Sequence, residues 1–156
     1  RIPLGGTHVS DHHRRLERMY LAAPINELFK PTIHIAEGQA TIEFDADERF
    51  FHSAGALHGS VYFKALDDSA FFAAASRVQD VFVLTTSFTI ELTRPVTGGR
   101  LRAEGQLTSQ KDRVLEAESV LYNGDQEVAR GNGTFVAGRT ELTSALGYGV
   151  PPEETG

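Results

Sequence analysis

Residues 57–77 run without a proline, rich in Ala and Phe, and their apolar side chains leave no face of a helix polar. Val61, Phe63, Leu66, Phe71, Phe72 and Ala73 cover most directions around the axis, and a helix apolar nearly all round is one that other structure encloses. On either side the hydrophobic period changes to two. Residues 33–36 and 40–45 alternate around a Glu37-Gly38 hairpin, and 82–93, 100–110, 114–122 and 127–137 read as four further strands. Pro95 with Gly98-Gly99, Lys111-Asp112 and Asn123-Gly124-Asp125 supply the connections, the last a good hairpin signal. One long buried helix among so many strands predicts an α+β fold, a curved antiparallel sheet wrapped around a central helix.

The flanks add less. Ser10 and Asp11 cap a helix that runs to about residue 22 and is stopped by Pro24, with Leu16, Met19, Tyr20 and Ala23 as its apolar stripe. Arg14, Arg15 and Arg18 lie elsewhere around it, and His8, His12 and His13 read as its polar side. Residues 25–29 suit a further short turn, and 48–57 a loop. Gly98-Gly99 and Gly131-Asn132-Gly133 lack the Lys and flanks of a phosphate loop and read as turns. From Gly138 the Gly-, Pro- and Thr-rich tail is expected to be loosely ordered. All 156 residues therefore form one domain, with a core over about 33–137.

Composition excludes several function classes. A net charge of −6 with no basic stripe argues against a nucleic-acid partner. With no cysteine there is no disulfide frame, thiolate nucleophile or Cys–zinc site, which fits a reducing cytoplasm. No apolar run approaches the roughly 20 residues of a membrane span. The start does not look like a secretory signal and has no Met, so the natural N-terminus is expected to lie further upstream. His52 and His58 have no third ligand at a telling spacing, so no metal site is expected. The absence of a Gly-x-Ser-x-Gly elbow removes the usual serine hydrolase.

Candidate chemistry gathers on the central helix. At its mouth stands His58-Gly59-Ser60, and first-turn N–H groups have no partner within a helix. Gly59 adds no side chain there, so either it offers an oxyanion donor to a carbonyl oxygen or the segment merely starts the helix, with Ser60 as cap. Asp67 sits mid-helix among Phe63, Leu66, Ala70 and Phe71, where a carboxylate is costly unless paired or used, and burial would raise its pKa. Asp68 lies about 100° further round, so one of the two is a structural group. From His58 to Asp67 is roughly 900° of rotation and about 13 Å of rise. This sets helix mouth and acid on nearly opposite sides, so a shared active site calls for two antiparallel copies of the helix in a dimer. Thr85, opening the next strand, either orients a water or is an ordinary strand residue.

Ala56-Leu57-His58-Gly59-Ser60, Ala65-Leu66-Asp67, Thr93-Arg94-Pro95-Val96 and Gly131-Asn132-Gly133-Thr134-Phe135, in that order and spacing, resemble the hotdog-fold acyl-CoA thioesterases of the PaaI-like branch. The resemblance covers residues 40–137. It implies that Gly59 polarises the thioester carbonyl and that Asp67 of the partner subunit is general base or nucleophile. It also implies that Thr85 helps hold the attacking water, that His58 shapes the helix start, and that the protein forms dimers or dimers of dimers. No cofactor follows, since CoA is part of the acyl-CoA substrate. Its phosphates call for cations near the cleft, for which Lys111 and Arg113 are the candidates, and the acyl half calls for an apolar tunnel, with Phe50, Phe51, Phe63 and Phe71 available.

Two residues depart from the family pattern. Ser60 stands for the second glycine of the motif. His52 stands where the family carries Asn or Gln, as a ring that either places a water or acts as a base titrating near neutrality. The competing enzyme is a hotdog β-hydroxyacyl dehydratase or enoyl-CoA hydratase using His52 and Asp67, although the Pro-rich stretch between such residues is absent. A non-catalytic acyl-CoA-binding module is the third reading. Acyl identity, and dimer against tetramer, are not legible.

Overall fold

The computed structural model describes residues 10–149. Helices α1 (Asp11–Ala22) and α2 (Asn26–Phe29) lead into strands β1 (Thr32–Ala36) and β2 (Gln39–Asp45). The expected 48–57 loop contains a 3₁₀ turn at Glu48–Phe50 and is followed by α3 (Gly59–Ala75), then β3 (Val81–Leu92), β4 (Arg100–Lys111), β5 (Val114–Asn123) and β6 (Gln126–Glu141). The strands form one antiparallel sheet in the order β1-β2-β4-β5-β6-β3, and α3 packs against all six. This is the α+β arrangement that the long apolar helix demanded.

Small residues let helix and sheet approach closely. Ala103, Ala117 and Ser119 of the sheet are buried, as are Ala65, Ser69, Ala70 and Ala73 of α3. Where β4 crosses α3, a Cβ on Gly105 would stand 2.0 Å from the Ser69 carbonyl oxygen, so only glycine fits. Ser69 and Ser119 satisfy their buried hydroxyls by donating to the Ala65 and Leu66 carbonyls at 2.9 and 2.8 Å.

Three expectations are corrected. His12 and His13 are not the polar side of α1. Both are buried, and their Nε2 atoms donate to the Ala75 and Ser76 carbonyls at 2.9 and 3.3 Å, satisfying oxygens that the end of α3 leaves without helical partners. Gly131-Asn132-Gly133 is not a turn but the middle of β6. Ile90 and Phe88 of β3 pair with Gly131 and Gly133, and the Phe88 ring lies so close over both glycines that a Cβ would come within 2.6 Å of it. The tail after Gly138 is ordered as far as it is described. The strand β6 reaches Glu141, a 3₁₀ turn follows at Ser144–Leu146, and Tyr148 meets His12 Nδ1 at 2.7 Å. His8 and residues 150–156 lie outside the described residues.

Strand β3 forms one edge of the sheet and is largely exposed. Leu84 and Leu92 on it, with Phe63 on α3, are 50%, 48% and 39% exposed. A long edge with unpaired N–H and C=O groups and apolar side chains is a template for a second chain. Among the described residues, no helix is long and apolar enough to cross a membrane.

Candidate functional site

Two clefts flank α3. In the larger, about 710 Å³, Asp67 and Thr85 face side chains of α1 and the Phe71, Phe72 and Phe82 rings. Thr85 Oγ1 donates to Asp67 Oδ1 at 3.0 Å. Burial disfavours the charged form and lifts the Asp67 pKa from 3.8 to about 6; the Thr85 hydrogen bond opposes the rise, the neighbouring Asp68 charge adds to it, and Lys64 opposes it. Asp68 is tied down instead, accepting from Tyr20 Oη at 2.7 Å and from Lys64 Nζ. Burial and Asp68 raise the Tyr20 pKa well above its ordinary value, so its hydroxyl remains a donor. The adjacent acids thus divide into an anchored one and one that faces the cleft on a single donor.

The second cleft, about 370 Å³, lies at the mouth of α3 and is lined by His52, Gly59, Tyr62, Leu92 and Pro95 among others. The cap is His58 rather than Ser60: its Nδ1 accepts from Ser60 N at 3.1 Å and lies 2.8 Å from Ser60 Oγ. Gly59 is then the first helical residue, with its N–H one of those that have no partner within the helix. The mouth is fixed to the β3–β4 connection by Leu57 N donating to Val96 O and Tyr62 Oη donating to Arg94 O, both at 2.8 Å. His52 is exposed and lines this cleft, and its Nδ1 accepts from Ala54 N at 3.0 Å, which leaves Nε2 to carry the proton in the neutral ring, as a donor.

The structure joins Asp67 to Thr85 and gathers His52 and His58 around Gly59, but the two groups share no cleft residue within one chain. Counted from Gly59, which carries the amide, Asp67 is eight residues on, a net rotation of about 80° and a rise of about 12 Å. Displacement along the axis, more than rotation, separates them.

Neither Lys111 nor Arg113 lines either cleft: Lys111 is exposed at the end of β4, and Arg113 donates to the Ala137 and Gly138 carbonyls. Of the four candidate tunnel rings only Phe71 lines the Asp67 cleft; Phe50 is stacked on Phe29 at 4.5 Å and Phe63 packs edge-on against Phe88. Sequence reasoning missed Lys64 and Tyr20, for which the i, i+4 spacing of Lys64 and Asp68 was the available signal. It also missed the contribution of α1, α2 and the 145–147 turn to the cleft wall. Among the described residues, no three His, Asp or Glu are grouped to hold a metal.

Residues 54–130 match the family model of the thioesterase superfamily. Two curated relatives from Saccharolobus solfataricus are provisionally named esterases. One is 25% identical over 70% of this chain and 77% of its own length, the other 23% identical over 86% and 98%. The Escherichia coli PaaI protein of the phenylacetic acid degradation operon superposes with a TM-score of 0.77 at 20% identity, over 85% of this chain and 97% of its own. A phenylacetic acid degradation-related protein from Ralstonia eutropha gives 0.72 at 19% identity, over 81% and 99%.

Proposed function

The chain belongs to the thioesterase superfamily and has its hotdog fold, a thioester hydrolase framework, and from that premise we propose that it hydrolyses acyl-CoA thioesters at sites shared between two copies. The observation that carries the proposal is the Asp67–Thr85 pair, a carboxyl group tuned to about 6 in an apolar cleft. It is a base poised to be ionised at neutral pH yet still basic. Its missing complement, an amide at a helix mouth, lies in the other cleft.

The exposed β3 edge supplies a way to unite them. Gly59 lies beside Leu92, and Asp67 is bonded to Thr85. Pairing β3 antiparallel with a second β3, Thr85 opposite the partner's Leu92, sets the twofold axis between Phe88 and Thr89. Each Asp67 then approaches the partner's Gly59, and the symmetry produces two equal sites.

Water held by Asp67 attacks the thioester carbonyl carbon while Oδ2 takes its proton. The carbonyl oxygen becomes an oxyanion that accepts from the partner's Gly59 N–H. Collapse breaks the C–S bond, and the departing thiolate takes the proton from Asp67, leaving free acid and CoA. His52 Nε2–H serves as a hydrogen-bond donor to the carbonyl or the water rather than as the base, since the other ring nitrogen is already occupied.

The test is thiol release from a panel of acyl-CoAs, alongside enoyl-CoA hydration. Thiol release that disappears in Asp67→Asn is expected. Hydration without thiol release, or full turnover by Asp67→Asn, overturns the reading.

A further inference from the structure

Lys64 is out of place in the wall of an apolar cleft. A lysine in such a position ordinarily runs its stem along the apolar surface and leaves the ammonium in water. This one turns back, and its side chain is only 12% exposed. Nζ donates to Asp68 Oδ2 and, at 3.3 Å, to Tyr20 Oη, and it stands 5.0 Å from the centres of both the Tyr20 and the Phe29 rings. Tyr20 Oη donates in turn to the same Asp68 oxygen at 2.7 Å, which closes a circuit of three hydrogen bonds. Lys64 and Asp68 are one turn apart on α3. The rings that cage the ammonium come from α1 and α2, outside the matched 54–130 region.

Asp67 lies beside this group. Among the described residues lining its cleft, only Tyr20, Lys64 and Asp68 are otherwise titratable or charged. Thr85 on β3 faces it with a hydroxyl, and α2 and the 145–147 turn bring no charge. Burial is the main reason that Asp67 keeps its proton. The two neighbouring charges pull in opposite directions, Asp68 toward the protonated form and Lys64 toward the ionised one. Attack on a carbonyl adds negative charge to the site. A second carboxylate left uncompensated beside the base would therefore resist both ionisation of Asp67 and the reaction that follows.

We propose that Lys64 is a positioning residue for the base: fixed between Asp68 and the two rings, its ammonium cancels the Asp68 charge at Asp67, so that the cleft carries one negative group rather than two. The consequence for turnover rests on the hydrolase reading; the electrostatic arrangement does not. Lys64 acts through Asp67 and not on the reacting atoms.

The experiment compares Lys64→Gln, which keeps a hydrogen-bond donor and loses the charge, with Asp68→Asn, which removes the opposite charge. The pH profile of kcat/KM is read beside the NMR titration of the Asp67 carboxyl carbon in protein labelled with 13C-aspartate, the resonance being assigned by its loss in Asp67→Asn. The second readout isolates Asp67, because the partner's His52 reaches the shared site with a proton of its own. A unit charge a few ångströms away displaces a carboxyl titration by about one to three pH units, and partial exposure brings this to about one. Lys64→Gln should move the Asp67 titration up by about one unit and lose about tenfold in kcat/KM at pH 5, much less at pH 8. Asp68→Asn should move it down by a similar amount, and the double variant should return it close to the wild type. Lys64→Arg keeps the charge and should also titrate close to the wild type, so if one charge-removing variant does not fold, the other measured against Lys64→Arg decides the question. Displacement of Asp67 in the same direction by both variants, or by neither, overturns the role of Lys64 and leaves the hydrolase reading intact. Opposite displacements with no thiol release from any acyl-CoA overturn the hydrolase reading and leave the electrostatic arrangement.

Discussion

Replacing Asp67 by Asn should destroy turnover and, at neutral pH, make the protein more stable. Burial lifts the carboxyl pKa from 3.8 to about 6, and one pKa unit corresponds to about 1.36 kcal/mol between the two protonation states. Holding the ionised carboxylate in the cleft at pH 7 therefore costs about 3 kcal/mol, which partial solvent screening at a half-buried group reduces to about 1–2 kcal/mol. Between pH 3.8 and 6 the folded protein keeps a proton that the unfolded chain has already lost. Stability conferred on the protonated form thus falls as pH rises through that window, and stays low above it. Asn carries no charge and its amide oxygen still accepts from Thr85, so it escapes the cost. Urea melts of both proteins at equal concentration, from pH 4 to pH 7, should give curves that nearly coincide at pH 4 and separate by about 1–2 kcal/mol at pH 7, with Asn the more stable. An Asn variant less stable at pH 7, or an offset constant across pH, refutes the claim that a desolvated charge sits at this position.

The Thr85 hydrogen bond holds the Asp67 pKa down, so Thr85→Ala should move the acidic limb of the kcat/KM profile above pH 6, losing about tenfold in rate on that limb and less in alkaline buffer; Thr85→Ser should restore it. Gly105→Ala forces a methyl group into the Ser69 carbonyl and should cost more than about 3 kcal/mol, read as a lowered urea midpoint, or prevent folding outright. Burial lowers the His12 pKa below 6.5, against the pull of its hydrogen bond to Ala75. The unfolded chain therefore takes up a proton that the folded ring refuses, and stability from this residue is lost as pH falls below 6.5. His12→Asn should start less stable at pH 7 yet lose less than the wild type between pH 7 and pH 5, as thermal melts would show.

The central helix and the strands around it were legible because their signals are periodic, and burial on both sides of a helix or one side of a strand leaves a repeat in the residues themselves. Asp67 was legible as a contradiction, a charge inside an apolar run. What escaped depends on contacts between distant segments. Nothing local in His12-His13 says that two imidazoles close the carbonyl end of a helix more than sixty residues away. Gly131 and Gly133 carry a turn signature, and only the Phe88 ring from another strand explains why two glycines stand inside β6. The charge of Arg113 is visible in the sequence and suggests a partner for phosphates, while the two carbonyls that engage it are not.

Sharing of the site can be tested without a structure of the pair. Gly59 is the first helical residue and follows an extended His58 with φ −64° and ψ 142°, which is the backbone a proline accepts at that position and before it. A Cβ at this position meets only Leu92, at ordinary contact distance, 3.7 Å. Gly59→Pro therefore suits the local backbone while replacing the amide hydrogen with a ring carbon, and should lower kcat by at least about 10²–10³ with stability little changed. The Asp67→Asn homodimer is inactive for want of a base, and the Gly59→Pro homodimer for want of a donor. In a mixed dimer one site joins both defects and the other, drawing its acid from one chain and its amide from the other, is intact. Random reassociation of equal amounts makes half the dimers mixed, each with one of two sites working, so about a quarter of wild-type activity should reappear. Were acid and amide to serve the same site from a single chain, every site in the mixture would still carry one lesion. Mixing would then restore nothing, and the shared-site geometry would be wrong even with the hydrolase activity in hand.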